Sequence, residues 1–336
     1  MKKTMILILV LAFVTSLMAG CTGGAGSTTT AATTTAATEK VLNIGVVQLV
    51  EHPALDASYQ GFVAALKDAG YEDGKNIKIS YKNGQGDQAT CQTIAQKFLN
   101  DKVDLVLAIA TPAAQAAANV IKDIPILITA VTDPESSKLV ASNAKPGGNV
   151  SGTSDLTPVK EQMTLLTQLI PSAKKVAILY SASETNSVFQ AKLAAAAAKE
   201  LGLETFDSTI SDSNDIQSVV TSLVGKCDAI YIPTDNALAK AMATVALVSE
   251  PAKLPVIVGE EGMVASGGLA TIGINYFNLG YQTGEMAVRI LKGEAKPADM
   301  PIEYLKDVSV SINEAQAALI GVTIPADLAA KNTYKP

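Results

Sequence analysis

The chain has no tryptophan, one histidine and three cysteines among its 336 residues. The single histidine, His52, excludes His-based catalytic triads and any zinc site built on several imidazoles. No cluster of cysteine and histidine marks a zinc site either. Cys91 and Cys227 fall in separate halves of the folded region, so they read as two buried free thiols rather than a disulfide. Aromatic residues make up only 4% of the chain, so Ala, Val, Ile and Leu must supply the core. The formal charge is −6 with both signs interspersed, which leaves no basic stripe for nucleic acid. No G-x-S-x-G turn, Walker loop or metal signature occurs. Gly84-Gln85-Gly86 is too weak to be a phosphate site. Paired carboxylates could still support glycosidase chemistry, but sequence alone does not bring two of them face to face.

What is present begins with Met1-Lys2-Lys3, an apolar run from Met5 to Val14, the small residues Ala19-Gly20, and Cys21. This order predicts a signal peptide over 1–20 ending in a lipobox, with a diacylglycerol on Cys21. Met18 stands three before the cysteine, where a lipobox usually has Leu, and Leu17 lies one further out. An ordinary secretory signal with a chance cysteine is the alternative. Residues 22–38 are almost only Thr, Ala, Gly and Ser. Such a segment cannot offset its own ordering entropy, so 21–40 reads as a flexible tether. The expected location is extracytoplasmic, lipid-anchored to the plasma membrane.

From Val41 the chain alternates strands and helices, which implies parallel sheets covered on both faces. Strands are expected at Val41–Val47, Ile77–Tyr81, Asp104–Ile109, Ile126–Ala130 and Val150–Gly152, with helices between them. The pattern restarts near Asp155–Pro158. Strands follow at Lys175–Tyr180, Glu204–Ser208, Ala229–Ile232 and Val256–Val258, with a helix over Asn236–Val248 among others. The fold class is therefore α/β, two doubly wound parallel-sheet lobes. The last elements are too few for a third core. A strand at Leu269–Asn275, a helix at Asn278–Leu291 and an extended segment at Ile302–Ile312 should complete the two earlier sheets by crossing between lobes. The first lobe is expected over 41–155 plus about 275–299. The second is expected over 156–274 plus about 300–325, with a tail at 326–336.

Ligands of doubly wound sheets bind outside the carboxyl ends of the strands. The turns there are Gln48–Pro53, Ala110–Ala113, Val131–Pro134, Ser181–Ser187, Pro233–Asn236 and Glu260–Gly262. Thr111 either caps the helix that Pro112 opens or adds its hydroxyl to a small carboxylate site there. Asp235 either caps its own helix or accepts from a ligand ammonium. His52 and Tyr276 are candidates for contact with a ligand ring, although surface or core roles are the commoner fate of such residues.

Ile44-Gly45-Val46-Val47-Gln48, Glu51-His52-Pro53-Ala54-Leu55-Asp56, Ala110-Thr111-Pro112-Ala113-Ala114-Gln115, Thr132-Asp133-Pro134 and Pro146-Gly147-Gly148-Asn149-Val150-Ser151-Gly152 form a recognisable series. Tyr231-Ile232-Pro233-Thr234-Asp235-Asn236 and Gly280-Tyr281-Gln282-Thr283-Gly284-Glu285 extend it. Together they resemble a family of solute-binding lipoproteins of ABC transporters whose best-understood branch takes up tryptophan and other aromatic amino acids. The resemblance runs from about Val41 to Val322. It implies a type I periplasmic-binding-protein fold with a three-segment hinge. It also implies a non-enzymatic receptor without cofactor, most simply a monomer, that hands a small solute to permease subunits. An aromatic L-amino acid, tryptophan or phenylalanine, is the expected ligand. The ligand residues it implies are Gln48, Glu51, His52, Thr111, Pro112, Thr132, Ser154, Asp155, Asn186, Ser187, Asp235, Glu261 and Tyr276. The chain has Gly259-Glu260-Glu261-Gly262 where relatives often show Ser-Asp-Glu-Gly, which keeps Glu261 and puts Glu260 in doubt. A receptor for a nucleoside or sugar is the second reading; a surface hydrolase or a sensor ectodomain comes after it.

Overall fold

The computed structural model describes residues 40–335. The expected signal peptide, Cys21 and almost all of the tether lie outside the described residues.

The first series of strands is β1 (Leu42–Gln48), β2 (Ile77–Asn83), β3 (Leu105–Ile109), β4 (Ile126–Val131) and β5 (Val150–Ser154). The second is β6 (Lys175–Ser181), β7 (Glu204–Ile210), β8 (Ala229–Ile232), β9 (Val256–Val258) and β10 (Ala270–Gly273). Two short strands follow, β11 (Glu303–Tyr304) and β12 (Ser309–Ile312). The sheets run β11-β5-β4-β3-β1-β2 and β12-β10-β9-β8-β6-β7. Apart from β12, which is antiparallel to β10, every pairing is parallel. The strand order is thus used twice, and each sheet reverses direction beside its first strand, between β1 and β3 and between β6 and β8. Buried parallel strands need no polar alternation, and β3 and β4 are buried at every position.

The helices are α1 (Pro53–Asp68), α2 (Gln88–Asp101), α3 (Thr111–Val120), α4 (Val159–Leu169), α5 (Thr185–Glu200), α6 (Ile216–Leu223), α7 (Asn236–Lys240), α8 (Met242–Ser249), α9 (Glu261–Ala265), α10 (Tyr276–Leu291), α11 (Glu314–Ile320) and α12 (Ala326–Ala329). None of the described helices is long and apolar enough to cross a membrane. The chain crosses between lobes three times: from β5 into α4, from β10 into α10, and from β11 into β12. The segment expected as one strand at Ile302–Ile312 is in fact two, one in each sheet. Met300 and Ile302 are buried in the first core, whereas Lys306–Val308 are exposed and pair with nothing. The return to the second lobe therefore comes after Tyr304, not at about 300. The helix expected over Asn236–Val248 breaks at Ala241, between α7 and α8.

α10 belongs to the first lobe and lies directly on α1. Glycines permit this. A Cβ built on Gly61 would stand 1.9 Å from the Phe277 carbonyl oxygen, and one on Gly280 would stand 1.8 Å from that of Ser58. The backbones touch where any side chain would hold them apart. The contact fixes the start of α10, and so the direction of Tyr276. Cys91 and Cys227, the cysteines among the described residues, are both free, but only Cys91 is buried; Cys227 is half-buried.

Candidate functional site

The strand-end turns of both lobes meet across a closed cleft. His52 in the turn after β1 bonds Asn236 at the start of α7 (Nε2 to Oδ1, 3.2 Å). Thr132 after β4 meets Thr234 after β8 at 3.3 Å, and Gln190 of α5 donates to both hydroxyls. Gln115 of α3 reaches Thr185 of α5 at 3.3 Å.

These contacts bound a narrow interlobe space of about 270 Å³, part of it open to solvent. His52, Thr132, Asp155, Asn186, Asp235 and Tyr276 line it, all of them expected. Leu55, Ala130, Thr234, Asn236, Ala239, Glu260 and Met263 complete the wall. No lysine or arginine does. A second, larger space of about 960 Å³, open solvent included, lies between the lobes, and Pro112, Glu184 and Asn236 line it.

The other expected residues have different surroundings. Glu51 is exposed. Gln48 is buried and braces the first turn, donating to the Val50 carbonyl at 2.8 Å and to Asp56 at 2.6 Å. Ser154 donates to the Thr132 carbonyl at 2.6 Å. Ser187 is buried against the Asp235 carboxyl. Thr111 does not cap α3. Ala110 holds the N-cap place with φ 82°, and the Thr111 hydroxyl is buried without a partner among the described residues, outside the cavity wall. Of the two adjacent acids, Glu260 and not Glu261 lines the cavity. Glu260 is buried and faces the cavity, while its carboxylate caps α9 by accepting from the Gly262 and Met263 N–H groups at 2.5 and 2.9 Å. Glu261 is half-buried and accepts from Ser311 at 3.1 Å.

The carboxyls differ in what remains free. Asp235 lines the cavity, yet both its oxygens are engaged by main-chain donors, Ser181 N at 2.6 Å and Leu238 N at 2.9 Å. It caps α7 and ties the turn after β6 to the turn after β8. Asp235→Ala removes that cap and strands a buried N–H, so unfolding in urea is expected to show about 2 kcal/mol or more of lost stability. Asp155 accepts from the Tyr276 hydroxyl at 2.8 Å through one oxygen only. Its other oxygen is buried and has no partner among the described residues. His52 Nδ1 and Asn186 Oδ1 are unpartnered in the same way.

Burial dominates the electrostatics. It pushes the Asp155 and Asp235 carboxyls up, Glu260 to about 7 and Glu184 to about 8, the last with a further push from Asp235. It drives His52 down to about 4, against the opposing pull of its Asn236 bond. The folded protein therefore holds more protons on Glu184 and Glu260 than the unfolded chain does, between about 4.5 and their raised values. Stability from these groups is lost as pH rises through that window, by up to about 1.4 kcal/mol per pH unit for each group. His52 acts oppositely, but only between about 4 and 6.5. Denaturation of the unliganded protein should thus become easier between pH 6.5 and 8, as a urea midpoint series would show.

Two doubly wound lobes, three crossings and a cavity between them at the strand ends together define a bilobal solute-binding protein. The chain belongs to the family of ABC transporter substrate binding proteins, whose family model matches residues 43–334. It is 45% identical over 313 residues to the tyrosine-binding protein of Clostridioides difficile, covering 93% of this chain and 90% of that one. A Streptococcus pneumoniae ABC domain in complex with L-Trp superposes with a TM-score of 0.85 at 39% identity, covering 88% of this chain and 99% of that one. A substrate-binding protein with adhesive properties from Clostridium difficile, in its ligand-free open structure, is 46% identical over the same shares but superposes at only 0.68. The lower-identity relative with ligand is the better match in shape, in keeping with the closed cleft.

Proposed function

We propose that the protein is the extracytoplasmic substrate-binding lipoprotein of an ABC importer and that it takes an aromatic L-amino acid between its lobes. One observation carries this most directly. Asp155 has a buried, unpartnered oxygen and lines an interlobe cavity whose wall contains no lysine or arginine. A carboxylate there calls for a cation, and the ligand must bring it. An α-ammonium does so.

Two helices set this geometry. Asp155 sits at the first crossing between lobes, and Tyr276 opens α10 at the second. Burial raises the Tyr276 phenol well above its ordinary value, so it stays protonated and donates to Asp155. The ligand carboxylate fits the start of α1. Its first-turn N–H groups lack intrahelical acceptors, and the helix dipole favours negative charge there. Leu55, Ala239 and Met263 supply apolar wall for a side chain. The tyrosine and tryptophan of the two relatives support an aromatic ligand.

Delivery to permease subunits, attachment through a lipid on Cys21 and action as a monomer complete the reading. The resemblance to substrate-binding lipoproteins and the lipobox-like N-terminus support it. Titration calorimetry against amino acids, nucleosides and sugars tests the ligand. Binding of an aromatic L-amino acid is expected. Binding only of a nucleoside or sugar, or of an amino acid without a ring, would overturn it.

A further inference from the structure

We infer that Gln190 is the clasp of the closed cleft, a positioning residue that raises ligand affinity by joining the two lobes without touching the ligand. The inference depends on the reading above only for the choice of titrant.

Gln190 lies on α5 in the second lobe and is fully buried. It does not line the cavity. Its side-chain nitrogen reaches two hydroxyls, one from each lobe. Thr234 stands after β8 in its own lobe, and Thr132, at 3.2 Å, stands after β4 in the other. The two hydroxyls are 3.3 Å apart. The three groups close a ring of hydrogen bonds across the cleft. The amide carries two N–H bonds, one for each hydroxyl. Turned over, it would offer its oxygen to the same two hydroxyls, so the link does not depend on which way the amide faces. Thr132 is itself braced within the first lobe, since Ser154 donates to its carbonyl at 2.6 Å.

Two observations separate a clasp from a packing role. Apart from a long approach to the Asn186 carbonyl of its own helix, at 3.5 Å, the amide bonds only the two threonines. Its oxygen is buried with no partner among the described residues. A polar group buried in that way lowers stability, which a methionine of similar size would not do. What the amide adds is the link between lobes. The second observation is that the link is conditional. Gln190 and Thr234 both belong to the second lobe and stay together. When the lobes part at the strand ends, Thr132 leaves with the first. The bond to Thr132 therefore stabilises the closed form alone. An interaction present in one of two states shifts the population toward it, and apparent affinity follows. In a cleft that closes over its ligand, such a bond slows escape rather than speeding arrival.

The test is calorimetric titration with L-tyrosine and L-tryptophan, and stopped-flow binding of L-tryptophan, on wild type and Gln190→Met. The chain has no tryptophan, so the emission of the ligand is read without background. Gln190→Met should bind about fivefold or more weaker, with the loss in the dissociation rate and the association rate within about twofold. Its urea midpoint without ligand should be unchanged or higher. In a Thr132→Val background, Gln190→Met should weaken binding by less than about twofold more, because the cross-lobe partner is already gone. Gln190→Asn keeps an amide that is one methylene too short to span both hydroxyls, and it should match Gln190→Met. Affinity within about twofold of wild type in either variant would overturn the inference. So would a full further loss on top of Thr132→Val, since Gln190 would then act elsewhere. If neither variant folds, the side chain is structural and the inference falls. If wild type binds neither amino acid, the aromatic reading fails alone, and the tightest binder among nucleosides and sugars takes their place in the same comparison. Binding of no solute from any of these classes would overturn both.

Discussion

Asp155→Asn is expected to weaken binding of the aromatic amino acid about 30-fold or more, with the urea midpoint of the unliganded protein nearly unchanged. Breaking one partner of a buried charge pair costs about 2–5 kcal/mol, because the other charge stays buried and unpaired. Asparagine keeps an oxygen for the Tyr276 hydroxyl, now 2.8 Å from the carboxylate, so the local packing persists. It also removes a carboxyl that burial already disfavours in ionised form. The loss should therefore fall on binding and not on folding. Calorimetry on the variant gives the first quantity and urea unfolding the second. Affinity within threefold of wild type would remove Asp155 as the ammonium partner. A collapse of stability would show that its role is structural, as argued for Asp235.

Gly280→Ala is expected to destabilise the protein by about 3 kcal/mol or more, at the upper end of what overpacking costs. The added Cβ would lie 1.8 Å from the Ser58 carbonyl oxygen, which is backbone and cannot rotate away. Relief requires α10 to lift from α1. Tyr276 begins α10, so the same shift should also weaken ligand binding. Gly148→Ala is the control: nothing lies within 4 Å of its Cβ position, and surface changes of this kind stay within about 0.5 kcal/mol. Comparable urea midpoints for the two variants would show that the helices do not need their close approach.

Most of the fold was legible because buried parallel strands are continuous apolar runs between turn signals. Ala229–Ile232 and Val256–Val258 fall where they were expected. The return to the second lobe was harder, since Ile302–Ile312 reads as one extended run and only the pairing of Glu303–Tyr304 with β5 and the burial of Ile302 assign its first half to the first lobe. The cavity wall was legible in part for a related reason: a doubly wound sheet gathers its strand ends, so His52, Thr132, Asn186 and Asp235 had to approach one another. What sequence does not encode is which of two neighbouring side chains turns inward. Glu260 lines the cavity from the extended N-cap position of α9, whereas Glu261, one residue on, bonds Ser311 instead. Ala110 and Ala130 adopt φ 82° and 53°, a region alanine rarely visits, and no residue type signals it. Those two backbones displace Thr111 from its expected cap and put Ala130 itself on the wall.

The three crossings also govern how the chain can fold. The first sheet lacks its edge strand β11, and α1 its partner α10, until residues beyond 275 are available; the second sheet waits for β12. Each lobe is closed by segments that follow the other lobe in sequence. The N-terminal half cannot bury its surface as an autonomous unit, and contacts such as Ser58 with Gly280 span most of the chain. Long-range closures of this kind slow folding. They also tie the two lobes into one cooperative unit, so neither lobe is expected to unfold alone.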